Sequence, residues 1–280
     1  MAILINGTII AQKINEKTAK EVADLRKKGI IPKLGIILVG KDKASLSYVR
    51  RKGEKAKESG IDFALYEFGD TITQEELLAK MNEITGEGLL TGLIVQLPLP
   101  AHIHTRTVLQ AVPPKIDVDC LTEENLGKLV VKTNYLVPPT AGAVMSILKN
   151  LRVDLVGSEI TIVGTGLLVG KPLVIMLMNE NASVTTCNIY TKDIKARCLS
   201  SKIIITGVGK KDLIRADMVC EGAIVISAGV EFVEGRAYGD ICMEEMLKKA
   251  AYVTPTPGGI GPITVARLLE NTVLCAQRDL

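Results

Sequence analysis

Aromatic side chains are scarce in this sequence of 280 residues, which has no tryptophan, three phenylalanines and six tyrosines. Proteins that bind single-stranded nucleic acid usually stack bases on aromatic side chains, so this class is disfavoured. The net charge is only +3, and the sequence has neither a polybasic tail nor a run of like charges. A surface for duplex DNA or RNA would normally be more basic. We therefore expect no nucleic-acid partner.

Histidine and closely paired cysteines are also lacking. The two histidines, His102 and His104, exclude a histidine-rich metal centre. The six cysteines contain no C-x-x-C pair, which argues against a zinc site and against a disulfide framework in a chain of this size. We expect no metal.

Long hydrophobic runs are absent. No stretch approaches the 18 or so apolar residues of a membrane-spanning helix. The first residues lack the basic segment and apolar core of a secretory signal. We therefore expect a cytoplasmic protein with reduced cysteines that has no membrane contact.

The pattern that is present consists of short apolar runs that alternate with longer amphipathic segments. This pattern is typical of β-α-β units in a parallel sheet, and it predicts an α/β fold. The predicted strands are 34–39, 63–68, 92–97, 159–163, 183–187, 202–206 and 223–227. The main predicted helices are 8–28, 45–59, 74–84, 140–151, a segment through 178, and 264–275. Two proline pairs near 113 and 138 flank a segment that we interpret as a domain boundary or an active-site loop.

Glycines between strand 159–163 and the next helix form a candidate phosphate site. Gly164 and Gly166 would let an anion approach backbone N–H groups at a helix N-terminus. The spacing to Gly170 is G-x-G-x-x-x-G rather than the usual G-x-G-x-x-G, so a tight turn without a ligand stays an alternative. No acidic residue ends the following strand, so the usual acceptor for a ribose hydroxyl is missing.

Three polar positions in the first half are further candidates. Tyr48 and Lys52 lie one helical turn apart, and a lysine in a cleft can transfer protons, although a solvated basic helix face is the alternative. Gln96 ends an apolar strand, where α/β sheets bind ligands. Asp117 and Asp119 follow in a loop, where two carboxylates are more often a cap or a turn than an acid/base pair.

These pieces occur together in one family. The chain closely resembles the bifunctional methylenetetrahydrofolate dehydrogenase/methenyltetrahydrofolate cyclohydrolases over nearly its whole length. The segments that carry the resemblance are Ala44-Ser45 with Tyr48-Val49 and Lys52, Gly60-Ile61, Val95-Gln96-Leu97-Pro98-Leu99-Pro100, Asp117-Val118-Asp119, Asn125, Gly127, 164–172, and Pro257-Gly258-Gly259-Ile260-Gly261-Pro262-Ile263-Thr264.

The resemblance implies two α/β domains with a cleft between them. An N-terminal folate-binding catalytic domain, 1–138, would be completed by a C-terminal helix, 264–280. A Rossmann-like NAD(P)-binding domain would cover 139–263, and homodimers would form largely through it.

The implied function belongs to one-carbon metabolism and purine biosynthesis. The enzyme would oxidise 5,10-methylenetetrahydrofolate with NADP and then hydrolyse the methenyl product to 10-formyltetrahydrofolate. The resemblance makes Lys52 the main catalytic residue, positioned by Gln96, while Tyr48 stacks on the folate and Asp119 holds the pterin. The other implied substrate-binding residues are Leu97, Pro98, Gly259, Gly261 and Pro262. The implied cofactor-binding residues are Gly164, Thr165, Gly166 and Val230.

The sequence departs from the family pattern mainly in the nucleotide half. Thr165 replaces an arginine and Ile189 replaces a serine, and both usual partners of the NADP 2′-phosphate are therefore missing. Lys171 or Lys192 could substitute for them, and NAD stays an alternative cofactor. In the catalytic half, Cys120 replaces a glycine. The alternative functions are a cyclohydrolase with a weakened dehydrogenase and a folate-binding protein without catalysis.

Overall fold

The computed structural model describes residues 1–278, apart from the side chains at positions 43 and 44. Helices and strands alternate along the chain. The helices described are α1 Gly7–Lys27, α2 Lys43–Glu58, α3 Gln74–Gly86, α4 Thr105–Gln110, α5 Glu123–Val130, α6 Pro139–Asn150, α7 Gly170–Asn179, α8 Ile194–Leu199, α9 Met243–Lys249 and α10 Ile260–Gln277. The strands described are β1 Ile3–Leu4, β2 Lys33–Val39, β3 Asp62–Phe68, β4 Gly92–Val95, β5 Glu159–Val163, β6 Ser183–Cys187, β7 Ile203–Thr206, β8 Ile224–Ser227, β9 Val230–Val233, β10 Arg236–Gly239 and β11 Tyr252–Val253.

A three-stranded parallel sheet in the order β3-β2-β4 organises the first half of the chain. The central strand β2 is apolar and buried from Leu34 to Val39 because both of its faces are covered. Its alternate side chains enter two different cores. Leu34 and Ile36 pack on one face together with residues of α1, α2 and α10, and Ile37 and Val39 pack on the other together with residues of α3 and α4.

A second parallel sheet has the strand order β1-β11-β8-β7-β5-β6. From β5 the chain passes to β6 on one side and then returns to β7 on the other side of β5. The carboxyl ends of β5 and β7 therefore flank a topological switch point, where open α/β sheets bind ligands. An antiparallel hairpin of β9 and β10 follows β8.

The chain divides into two compact units. One contains Met1–Gln12 and Thr140–Thr264, and the other contains Lys13–Pro139 and the chain from Val265 onward. The first twelve residues thus belong to the unit of the six-stranded sheet rather than to the predicted 1–138 domain, because β1 pairs with β11 in that sheet. A two-residue strand is too short to show any periodicity in the sequence. The predicted end of the last helix at 280 lies outside the described residues.

Most of the predicted strands and long helices are confirmed, with shifts of one or two residues at their ends. A capping box begins α3, where Thr73 and Glu76 bond each other's backbone N–H groups. Helix α10 begins at Ile260 rather than at 264, because Pro262 lies in its first turn, where a proline needs no hydrogen-bond partner. None of the described helices combines the length and apolarity needed to cross a bilayer.

Candidate active site

Lys52 and Gln96 meet beside the three-stranded sheet. Lys52 lies on α2, and Gln96 follows β4 directly, continuing the sheet through its backbone bond to the Ile37 carbonyl at 2.8 Å. The amide Nε2 of Gln96 donates to the Leu97 carbonyl at 2.7 Å. This bond leaves Oε1 to accept from the Lys52 Nζ at 3.0 Å. The two candidates from distant parts of the sequence are therefore brought together in a fixed orientation.

Asp117 anchors the loop that carries Asp119. Its Oδ2 accepts from the backbone N–H groups of Leu121 at 2.9 Å and Thr122 at 2.8 Å, and from the Asn125 amide at 3.0 Å. The Asp117 side chain is buried. For Asp117 the structure favours the interpretation as a turn anchor, because its Oδ2 bonds two backbone N–H groups of the loop and the Asn125 amide.

Helix α10 contributes Asn271 to the same loop, a residue that the sequence analysis did not identify. The buried Asn271 amide donates to the carbonyls of Val118 and Val137, both at 2.8 Å. These bonds satisfy two loop carbonyls that would otherwise be left unpaired. In the sequence Asn271 lies between the polar residues Glu270 and Thr272, so no local pattern singles it out.

Cys120 adopts a left-handed backbone conformation with φ +55°. This conformation favours glycine, the residue that the family pattern has here, and costs a cysteine about 1 kcal/mol. The Cys120 side chain is fully buried, and burial raises the pKa of its thiol. We interpret Cys120 as a structural residue, because a protonated buried thiol is unreactive.

Lys52 and Asp119 shift each other's ionisation. Burial lowers the pKa of Lys52, and the nearby Asp119 carboxylate opposes this shift. Burial raises the pKa of Asp119 to about 6, with Lys52 opposing and Asp117 adding to the effect. An amine with a lowered pKa, held by one neutral amide, gives up its proton more readily than an ordinary lysine and is suited to proton transfer.

Tyr48 lies one turn before Lys52 on α2, and 37% of its surface is exposed. Burial raises the pKa of its phenol, and Arg51 opposes this shift. The partly exposed ring is therefore available to an aromatic ligand. Leu97 and Pro98 follow Gln96, where Leu97 packs against the core and Pro98 is exposed.

The carboxyl end of β5 provides a second candidate site in the other unit. Gly164 has φ +102°, and a Cβ there would lie 2.7 Å from the Gly207 carbonyl oxygen. A Cβ on Gly170, where α7 begins, would overlap with the Gly164 carbonyl. Only glycine fits these two positions. The backbone therefore approaches closely at a helix N-terminus, which fits the pyrophosphate of a dinucleotide.

The residues that occupy the positions of the expected phosphate ligands are at least partly exposed to solvent. Thr165 is half-buried, and Ile189, just beyond β6, is 85% exposed. Asn188 is engaged with its own turn, because its Oδ1 accepts from the Tyr190 N–H and its N–H donates to the Thr191 hydroxyl. Lys171 and Lys192 are exposed. None of these side chains provides the arginine and serine contacts that the family pattern contains.

The remaining predicted site residues belong to the unit of the six-stranded sheet. Val230 begins β9 beside Gly209. The Gly258 carbonyl accepts from the Gly7 N–H at 2.9 Å, and a Cβ on Gly7 would overlap with the Gly259 carbonyl. Gly261 and Pro262 lie in the first turn of α10. The ligand contacts of Val230, Gly259, Gly261 and Pro262 stay predictions.

Replacing the half-buried Asp119 should stabilise the fold in a pH-dependent way. Its raised pKa means that the folded protein holds the proton more tightly than the unfolded chain does. The resulting stability is present below about pH 4 and is lost as the pH rises through about 6. Asp119→Asn stays neutral, so its unfolding temperature should exceed that of the wild type by more at pH 7.5 than at pH 4.5.

The attraction of Lys52 is already contained in this pKa, so it does not reverse the expected direction. Asp62→Asn, which changes an exposed carboxylate of the same unit, is the matched control and should show no such gain. Thermal unfolding across the pH range measures the difference. A difference that stays constant between pH 4.5 and 7.5 would contradict the prediction.

Both units match models of one family. Residues 5–119 match the tetrahydrofolate dehydrogenase/cyclohydrolase catalytic domain, and residues 138–280 match the NAD(P)-binding domain of the same family. The bifunctional protein FolD of Nautilia profundicola is 43% identical over 98% of this chain and 97% of its own length.

Solved structures agree with the sequence relatives. The bifunctional methylenetetrahydrofolate dehydrogenase/cyclohydrolase FolD of Campylobacter jejuni superposes with a TM-score of 0.97 at 39% identity, covering 100% of both chains. The Trypanosoma brucei enzyme, solved with NADP and an inhibitor, gives a TM-score of 0.95 at 36% identity, covering 99% of this chain and 98% of its own. This chain belongs to the tetrahydrofolate dehydrogenase/cyclohydrolase family.

Proposed function

We propose that this protein oxidises 5,10-methylenetetrahydrofolate with a nicotinamide cofactor and hydrolyses the methenyl product to 10-formyltetrahydrofolate. The observation that carries the proposal is the hydrogen bond of 3.0 Å between Lys52 and Gln96 beside Asp119. The residues lie in or next to the part of the chain that matches the catalytic domain of the family. The name of the family and those of its relatives agree with both activities.

In the oxidation, the residues of this chain bind and orient the reactants. Asp119 binds the pterin, and Tyr48 stacks on the folate. The glycine-rich edge at Gly164, Thr165 and Gly166 holds the dinucleotide through backbone N–H groups. A bound nicotinamide would supply the hydride acceptor for the methylene carbon, and the residues of this chain would supply the positioning that this step needs in place of a strong acid.

In the hydrolysis, Lys52 moves the protons. Its neutral amine accepts a proton from water while the water oxygen bonds to the methenyl carbon. Lys52 then returns that proton to N5 as the bond between the carbon and N5 breaks, and the hydroxyl proton of the adduct leaves to solvent as the carbonyl forms, which leaves the formyl group on N10. The reaction releases one proton overall. Gln96 keeps the amine directed at the reacting carbon, and the cationic substrate further disfavours the charged ammonium form.

A cyclohydrolase with a weakened dehydrogenase is the second candidate function. Thr165 and the exposed Ile189 favour it, because the usual partners of the NADP 2′-phosphate are replaced. The NADP-bound relative supports NADP as the cofactor, and we expect a weaker preference for NADP over NAD in this chain. Folate binding without catalysis is disfavoured, because Tyr48, Lys52, Gln96 and Asp119 are all present.

We also propose that the protein is a homodimer in the cytoplasm. The edge strand β6 and the exposed Ile189 and Tyr190 beyond it give the nucleotide-binding unit a surface for a second copy. All six cysteines are free thiols, as is common in reducing compartments.

A paired spectrophotometric assay tests the function. The protein is given methylenetetrahydrofolate with NADP or with NAD and, separately, methenyltetrahydrofolate alone. We expect reduction of at least one nucleotide and accelerated decay of the methenyl species. Decay without nucleotide reduction would favour the second candidate, and the absence of both would contradict the proposal.

Removal of the Lys52 amine should abolish the hydrolysis. Because general acid–base catalysis contributes roughly 100-fold or more, Lys52→Met should lower the cyclohydrolase rate by at least that factor. Lys55→Met is the matched control, since Lys55 is exposed on the same helix and pairs with Glu58. Near-normal hydrolysis by Lys52→Met would refute the assignment.

Restoring the phosphate ligands should change cofactor preference. The double substitution Thr165→Arg and Ile189→Ser adds charge-assisted hydrogen bonds to a 2′-phosphate, which are worth about 1.5–3 kcal/mol. The ratio of kcat/KM for NADP to that for NAD should therefore rise about tenfold or more. Met178→Arg adds the same charge at the far end of α7 and should leave the ratio unchanged. An unchanged ratio in the double variant would contradict the prediction.

A further inference from the structure

We propose that Asp240 is a positioning residue for cofactor binding, because it fixes the loop 207–210 that forms one wall of the nucleotide site. The inference rests on the proposed function in one respect, namely that the edge at β5 and β7 binds the dinucleotide. Asp240 follows β10 and does not belong to the glycine-rich edge itself.

The loop 207–210 lies where the ligand is expected. It leaves the carboxyl end of β7, next to the carboxyl end of β5, at the switch point of the sheet. The N–H of Gly207 donates to the Val163 carbonyl at 2.9 Å, and the Gly207 carbonyl closely faces the Gly164 backbone. A shift of this loop would therefore change the width of the crevice in which the pyrophosphate and riboses bind.

Asp240 is 0% exposed, and its carboxylate is bonded to three successive N–H groups of the loop. Oδ2 accepts from Val208 at 2.9 Å, and Oδ1 accepts from Gly209 and Lys210, both at 2.8 Å. The N–H of Asp240 donates to the Ser227 hydroxyl at 2.9 Å. Burying a charge is costly unless it is bonded in this way, so the carboxylate and the loop conformation depend on each other.

The backbone around this carboxylate leaves no room for an alternative arrangement. A Cβ on Gly229 would overlap with the Asp240 carboxylate and would lie 2.5 Å from the Gly209 nitrogen. Gly209 itself has φ +76°, which suits glycine. Three segments of the chain therefore lie in close contact here, namely the loop after β7, the turn between β8 and β9, and the end of β10.

A second carboxylate supports the same wall from the hairpin through a single bond. Glu231 on β9 accepts from the Lys211 N–H at 2.6 Å, and the Lys211 Nζ lies 3.9 Å from the centre of the Tyr238 ring. The hairpin thus holds four consecutive N–H groups, 208–211, through two carboxylates. Val230, a predicted cofactor contact, precedes Glu231, so the same bonds position it.

The test is Asp240→Asn. An amide accepts through one atom only, so one end of the side chain would oppose a loop N–H instead of bonding it. We expect the dissociation constant for NADP or NAD, measured by calorimetry, and the KM for the cofactor to rise about tenfold. Amides 208–210 should exchange hydrogen faster, while the cyclohydrolase rate, which depends on residues of the other unit, should stay within about twofold of the wild type.

Two further variants separate positioning from general destabilisation. Asp217→Asn removes an exposed carboxylate of the same unit and should change neither cofactor affinity nor exchange. Glu231→Gln weakens the second bond, which is only partly buried, so this variant should fold more readily than Asp240→Asn. It should raise the cofactor KM by a smaller factor than Asp240→Asn does. A parallel loss of both activities in Asp240→Asn, with no change in Glu231→Gln, would indicate only a structural role and would overturn the inference.

Failure of the inference differs from failure of the proposed function. If the wild type binds neither nucleotide, both are contradicted. If the wild type binds a nucleotide and Asp240→Asn binds it with unchanged affinity, only the inference is contradicted.

Discussion

The desolvation of Lys52 is the constraint on which the candidate active site depends. A buried ammonium is costly, and the protein offsets this cost with one amide oxygen and one nearby carboxylate rather than with a full ion pair. A closer carboxylate would hold the amine in its charged form. An apolar pocket without Gln96 would leave the orientation of the amine unfixed, because Gln96 accepts its hydrogen bond. The arrangement leaves the pKa of the amine lowered and the amine directed, and it therefore requires both Gln96 and Asp119 to be held rigidly.

Buried polar side chains perform this holding in both units. Asp117 and Asn271 bond the backbone around Asp119, and Asp240 bonds the backbone beside the glycine edge. Each of these side chains restricts a loop to one conformation. Leaving a buried carboxylate or amide unpaired would cost more free energy than ordering the loop does. The functional loops are thus specified by side chains that never need to touch a ligand.

The sequence predicted the three strands of the first sheet and four of the six strands of the second, because most of these are short apolar runs that leave little choice of structure. It also identified Lys52 and Gln96, whose contact the structure confirms. It did not reveal Asn271 or Asp240, because their partners are backbone groups distant in the chain, for which no local pattern exists. It missed the two-residue strands β1 and β11 and the hairpin of β9 and β10, whose short strands show no clear alternation.

The departures from the family pattern lie mainly at positions that buried contacts do not hold in place. Thr165 and Ile189 are at least partly open to solvent and are not tied to a buried network, so substitution there costs little folding free energy and acts on ligand affinity alone. Gly164 and Gly170 are fixed by backbone contacts and are retained. Cys120 is the exception, because it is buried in a strained conformation beside Asp119. The bonds of Asp117 and Asn271 on either side of it keep the loop in place despite that strain, which explains how the catalytic half accepts a residue other than glycine there.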